Sequence, residues 1–234
     1  MRTRSKRYRK AIEIFDPNKP VTLQEAVELL YKFPRAKFDE TVDLAVRLGV
    51  DPKQSDQMVR GTVVLPHGVG KKVRVLVFAK PGPAADAAKA AGADYVGFED
   101  LIKRCQEGWA EFDVAIATPE AMTEVRKLGK ILGPRGLMPN PKTGTVTDDT
   151  GKAVKEFKAG RVEFKIDKGA NVHLPVGKIS FKPEQILENV RAALEAILKA
   201  KPASARGQYI RSITLSTTMS PGVEVDLKEV AKLG

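Results

Sequence analysis

The sequence predicts an α/β protein: an α+β first domain that is discontinuous in sequence, and a three-layer, Rossmann-like second domain inserted into it. Three observations carry this prediction. Strands toward both chain ends alternate strictly between apolar and polar residues, so each has one buried and one wet face. Strands in the middle third are almost wholly apolar, as expected where a sheet is covered on both sides. Glycine-bearing joints at 66–70 and at Gly160 separate the two textures. The outer domain is therefore assigned to residues 1–67 and 160–234, and the insert to 68–159. A chain of 234 residues is long for one core, which agrees with two.

In chain order, residues 1–10 hold six Lys or Arg around Tyr8, a basic arm that either floats or lies along a phosphate backbone. After a turn at Asp16-Pro17-Asn18, Thr22 and Glu25 have capping-box spacing ahead of a helix with Leu23, Ala26, Val27 and Leu30 on one face. From 40 to 48, Val42, Leu44, Val46 and Leu48 alternate with Thr41, Asp43, Ala45 and Arg47, giving a strand with one wet face. Residues 60–65 form a second strand. In the insert, 73–79 is an apolar strand broken only by Arg74. Helices at 84–91 and 98–107 then alternate with strands at 94–96 and 112–117, and Thr118 with Pro119 starts a helix that ends at Gly129. Such repeats imply a small parallel sheet between helix layers. Residues 152–158 form a closing helix. Alternation then returns with Val162, Phe164 and Ile166, and again with Val172, Leu174 and Val176. Pro183 opens a long amphipathic helix, and 210–217 is the final strand.

Forty Lys and Arg against 29 Asp and Glu give a net charge of +11, which points to a polyanionic partner, nucleic acid first. The outer domain carries 13 basic and 9 acidic residues in 1–67 and 12 and 8 in 160–234; the insert carries 15 and 12. More of the excess therefore lies on the domain with the wet sheet face. The longest unbroken apolar run, 75–79, is far short of the roughly 20 residues that span a bilayer. No apolar segment follows the N-terminal charges, so neither secretion nor a membrane is expected. Cys105 is the only cysteine, which excludes an intrachain disulfide and a cysteine-based metal site and fits a reducing cytosol. His67 and His173 lie outside metal-ligand spacing and take structural or surface roles. Gly68-Val69-Gly70-Lys71-Lys72 lacks both the upstream Gly and the following Ser or Thr of a phosphate loop. With no catalytic set in view, neither an enzyme, a cofactor nor a small-molecule substrate is expected.

Two stretches suit RNA. Residues 125–147 contain five Lys or Arg and no acid, and four glycines with three prolines break every periodicity, so no helix or strand is expected to run through. Bent backbone beside fixed positive charge suits phosphate; a solvated basic loop is the plainer alternative. In 212–222, hydroxyls recur at Ser212, Thr214, Ser216 and Thr218, followed by Met219 and a turn. This face can hydrogen-bond phosphates and ribose 2′-hydroxyls while the thioether lies against a base. An ordinary Thr-rich strand would look the same.

From Lys127-Leu128-Gly129-Lys130 to Val146 the chain resembles the signature of the bacterial large-subunit ribosomal protein L-one family, the ribosomal stalk proteins. Ala36-Lys37-Phe38-Asp39-Glu40-Thr41, Leu65-Pro66-His67-Gly68, Lys158-Ala159-Gly160-Arg161 and Thr217-Thr218-Met219 extend the resemblance over essentially the whole chain. It implies two domains joined by a hinge, here at Gly68 and Gly160. It also implies binding to a bulged helical element of large-subunit ribosomal RNA, which forms a mobile stalk near the exit site and assists release of deacylated tRNA. The free protein, a monomer, would repress its own operon by binding a similar mRNA site. Carried onto this sequence, the RNA-binding cluster is Lys37, Phe38, Glu40 and Thr41 with Lys165, Asp167, Lys168, Thr217, Thr218 and Met219. Ser212, Thr214, Ser220 and Gly222 of the hydroxyl-rich stretch join it, and Ser220 stands where the family usually has glycine. The primary contact thus moves to the outer domain, leaving Lys130, Arg135 and Lys142 as a secondary RNA or tRNA contact. Two other readings stay open: a nucleotide-using enzyme on the insert, and an RNA chaperone with no preferred site.

Overall fold

The computed structural model describes residues 4–17 and 19–228, so Met1 to Thr3 of the basic arm and Asn18 of the first turn lie outside the described residues. The chain forms two compact units, Met1–Gly70 with Val162–Gly234, and Lys71–Arg161. The mixture of helices with parallel and antiparallel strands is the expected α/β class.

Rather than a bare arm, the first basic segment is a helix, α1 (Lys6–Ile12), whose N-cap Ser5 accepts a hydrogen bond from the Tyr8 amide. Its four cations hide the only anchor, the buried Ala11. In α2 (Leu23–Lys32) the capping box forms: Thr22 accepts from the Glu25 amide, and the Glu25 carboxylate accepts from the Thr22 amide. The strands β1 (Thr41–Leu48) and β2 (Arg60–Val64) follow.

In the second unit β3 (Val75–Phe78) is wholly buried, and α3 (Pro83–Ala90), β4 (Tyr95–Gly97), α4 (Glu99–Gln106) and β5 (Val114–Ala117) follow it. The strands are parallel in the order β4-β3-β5. Leu76 and Phe78 pack with Leu101, Ile102 and Cys105 of α4 on one face. Val75 and Val77 pack with Ala85 and Ala88 of α3 on the other.

The stretch expected to exclude regular structure contains helical turns. The helix expected to end at Gly129 comprises α5 (Met122–Val125) and a 3₁₀ turn over Arg126–Leu128, and α6 (Gly129–Leu132) carries helical structure past that glycine into the stretch. Buried Val125, Leu128 and Leu132 recur at spacings of three and four, and their burial carries the helical path through Gly129. The expected start also moves: Thr118 accepts from the Ala121 amide, and the helix begins only at Met122. The unit closes with α7 (Thr150–Ala159), which packs beside α3 and is capped by the left-handed Gly160 at φ 110°.

The returning chain supplies β6 (Arg161–Lys165), paired with β2, then β7 (Asn171–Lys178), α8 (Pro183–Lys199), β8 (Ile210–Thr217) and β9 (Val223–Val225). The main sheet has the order β7-β1-β8-β9 and is antiparallel. Val42, Leu44, Val46, Leu174, Ile213 and Leu215 form its buried face, in one core with Leu30 of α2 and Ile186, Val190 and Leu194 of α8. Each such side chain contributes about 1.5–3 kcal/mol by leaving water. In that core Asn189 is fully buried, accepts from the His67 amide and donates to the carbonyls of Gly68 and Val176. The opposite face, with Thr41, Asp43, Arg47, His173, Thr214 and Ser216, is half-buried or exposed.

Candidate nucleic-acid interface

At the start of β1 and the end of β8 two segments 177 residues apart in sequence are joined by one carboxylate. Glu40 is 3% exposed. Its oxygens accept from the Ala36 amide at 2.7 Å, the Thr217 hydroxyl at 2.6 Å and the Met219 amide at 3.0 Å. Burial alone would raise the pKa of this group. The hydrogen bonds from Thr217, Ala36 and Met219, with the nearby positive charge of Arg7, outweigh burial and hold the carboxyl below its ordinary range.

What Glu40 presents is apolar. Phe38 is 54% and Met219 45% exposed, and both belong to segments whose backbone it anchors. Beside them the β1–β8 ladder runs one residue further: Thr218 donates its amide to the Thr41 carbonyl, and the Thr41 amide donates to the Thr218 hydroxyl. Lys178 donates to the Thr41 hydroxyl at 2.8 Å, and Asp39 accepts from both the amide and the hydroxyl of Ser180. Lys37 is exposed. The Thr217 amide donates to the Ser220 hydroxyl, which in turn donates to the Pro221 carbonyl. Ser220 thus braces the turn where a glycine would leave the Thr217 amide without that partner. A Cβ on Gly222 would meet the Thr214 methyl at 2.7 Å, so glycine is required there for packing.

The expected residues do not form one cluster. Lys37, Phe38, Thr41, Thr218 and Met219 gather at one end of the sheet. At the other end, Arg47 lies opposite Asn171 and Ser212 in the ladder, near Asp167 and Lys168 in the connection from β6 to β7. Six residues of β1 separate the ends, about 20 Å at ~3.4 Å per residue. Three of the expected residues are engaged within the fold itself. Glu40 and the Thr217 hydroxyl face inward and satisfy each other. Asp167 is likewise engaged, since its carboxylate accepts from the amides of Asn171 and Gly169 and from the Asn171 side chain. These bonds hold its pKa below the ordinary value, and they shape the turn. Lys165 and Lys168 are exposed, and Ser212 and Thr214 half-exposed on the open face.

Sequence reasoning did not single out Lys178, Asp39 or Arg7. Lys178 follows the bulge-forming Gly177, which breaks the alternation that would have assigned it a face.

In the second unit Lys130 and Arg135 are exposed, and Lys142 lies in a 3₁₀ turn, Pro141–Thr143. That segment is ordered from within: Thr143 and Thr145 donate to the Asn140 carbonyl, and Arg161 donates to the Thr143 carbonyl at 3.0 Å. Gly68 has φ 66°, and its carbonyl is held by Asn189; the boundaries between the units fall at Gly70/Lys71 and Arg161/Val162. Among the described residues no group of His, Cys, Asp and Glu could hold a metal ion, and no helix is long and apolar enough to cross a membrane.

Comparison with known proteins supplies the family. The model of the ribosomal protein L1p/L10e family matches residues 30–221. The chain is 57% identical over 227 residues to the large ribosomal subunit protein uL1 of Clavibacter michiganensis, covering 97% of this chain and 99% of that one. Identity and coverage are the same for its counterpart in Clavibacter sepedonicus. With the match spanning both units and every strand of the main sheet up to Thr217, the chain belongs to the ribosomal protein L1p/L10e family.

Proposed function

We propose that the chain is a structural constituent of the large subunit of the cytoplasmic ribosome, not an enzyme, and that it binds large-subunit ribosomal RNA through the open face of its first unit. One observation carries the reading: the buried Glu40 ties together the backbone, at the Ala36 and Met219 amides, of the two segments that carry the exposed Phe38 and Met219 beside the hydroxyls of Thr41 and Thr218 and the ammonium of Lys178. Water-facing aromatic and thioether groups suit unstacked bases. Hydroxyls and Lys37 suit the sugar and phosphate around them. Lys165, Lys168, Ser212 and Thr214 extend the footprint along the sheet.

On this reading the bound protein forms the mobile stalk near the exit site and assists release of deacylated tRNA, with Lys130, Arg135 and Lys142 as a later contact. Gly68 and Gly160, each close in sequence to a boundary between the units, would serve as the hinge. Free and monomeric, the protein would repress its own operon by occupying an mRNA site of similar shape. Crosslinking in cells followed by sequencing of bound RNA tests all of this. Reads concentrated in one large-subunit ribosomal segment and one leader of its own mRNA are expected; reads spread evenly over cellular RNA would refute it.

A further inference from the structure

A footprint that joins the two ends of the sheet has to cross its middle, and the middle holds an acid. Asp43 lies on the open face of β1, opposite Ser216 of β8 and Pro175 of β7, where the ladder shifts register between Val42 and Asp43. It is half-buried, yet among the described residues no hydrogen bond reaches its carboxylate. The charged groups on the strands around it are His173 and Lys178 of β7, Arg47 further along β1, Arg211 at the far end of β8, and Glu224 of β9. Burial raises the carboxyl pKa, and the charges of His173 and Lys178 pull it only part of the way back. Glu40 and Asp167 differ in this respect: each is saturated with donors and shapes the backbone, whereas Asp43 shapes nothing.

An unsaturated carboxylate on a face that meets a polyanion is repelled by phosphate. It is compatible with binding only where the nucleic acid offers hydrogen-bond donors; in RNA those are the 2′-hydroxyls, which every nucleotide carries, and the amino and imino groups of base edges, and only the latter distinguish one base from another. Resting on the RNA-binding reading above, we propose that Asp43 is a specificity-determining residue whose carboxylate accepts hydrogen bonds from the Watson–Crick edge of an unpaired base. Phe38 and Met219 would then supply sequence-tolerant apolar contact at one end of the sheet, and Asp43 the selection of a donor-bearing base between the ends. Unrelated RNA, which presents phosphate or an acceptor edge there, is rejected by the same charge.

The test uses the full chain with Asp43→Ala and Asp43→Asn. Each is titrated against transcribed large-subunit ribosomal RNA and an unrelated RNA of equal length, with base-specific chemical probing of the complexes. Asp43 has no hydrogen bond to lose, so both variants are expected to melt with the parent; should Asp43→Ala unfold, the isosteric Asp43→Asn carries the test. The expected result is about a tenfold loss of affinity for the ribosomal RNA, in line with the cost of losing a good base contact. Affinity for the unrelated RNA stays or rises, and one base edge protected by the parent becomes reactive. Equal gains for both RNAs, or an unchanged protection pattern, would reduce Asp43 to a mere surface charge and overturn the proposal while leaving the RNA-binding reading intact. A parent chain with no preference for the ribosomal RNA would overturn both.

Discussion

Replacing Glu40 with Gln removes the charge but keeps the shape, and its effects separate a residue that touches RNA from one that positions those that do. The carboxylate serves three donors, the Ala36 amide, the Thr217 hydroxyl and the Met219 amide, and a carboxamide offers one acceptor oxygen where two are used. At least one donor must then face an NH2 group. The orientation that loses least keeps the oxygen toward Thr217 and Met219 and turns the NH2 toward the part-buried Ala36 amide, which can only donate, and an unpaired donor of this kind costs about 1–3 kcal/mol. Replacing charged acceptors by a neutral one costs more on the other bonds, so a total of about 3 kcal/mol is expected. At ~2–4 °C per kcal/mol for a chain of this size, the melting temperature should fall by about 6–12 °C. The pH dependence follows from the sign of the shift. A carboxyl depressed on folding stabilises above its unfolded pKa of about 4.3, and that stability is lost as pH falls through the lower folded value. Glu40→Gln should therefore flatten the acid limb of a plot of melting temperature against pH. Affinity for ribosomal RNA should fall with an unchanged salt slope, because no phosphate contact is lost. A variant that melts with the parent, or one whose salt slope steepens because a repulsive charge has left the interface, would refute the reasoning.

Thr217→Val should cost about 1–3 kcal/mol in a denaturant titration by leaving Glu40 one donor short. A double-mutant cycle with Glu40→Gln should show the two effects strongly non-additive; simple additivity would mean that they act apart. Changing Lys130, Arg135 and Lys142 together to Ala should leave binding to isolated ribosomal RNA within error and weaken the contact with tRNA on assembled ribosomes; equal loss of both would move the primary site into the second unit. Asn189→Ala strips partners from the His67 amide and from the carbonyls of Gly68 and Val176, and should lower stability by roughly 3 kcal/mol or more by chemical denaturation.

The strands of the main sheet were legible because their neighbours imposed a period of two. Val42 to Leu48 and Ile213 to Leu215 bury every second residue against α2 and α8, and that burial is written into the sequence. The short β9 carries only two buried residues, Val223 and Val225, too few to show a period. In α1 four cations swamp one buried alanine, and α6 begins at a glycine that local reasoning counts as a breaker but core packing tolerates. The candidate site was legible as a set of residue types and not as an arrangement. Nothing local says that Glu40, next to an alternating strand, turns inward to meet Thr217, because the partner arrives from 177 residues away. Nor does spacing reveal that Asp167 and Lys168 lie at the far end of the sheet from Met219, since that follows from the antiparallel register of β7 on β1.

The most direct test of the account is to divide the chain where its two units meet. Residues 71–161 are replaced by a short Gly-Ser bridge, and RNA binding is titrated across salt concentrations for the joined outer unit and for the excised segment. The outer unit holds the main sheet, with Glu40, Phe38, Asp43 and Met219 on segments it supplies itself, so it should melt cooperatively and keep most of the affinity for large-subunit ribosomal RNA, with a steep salt dependence. The excised segment should bind weakly and without preference. Specific binding that travels with residues 71–161 would contradict the account.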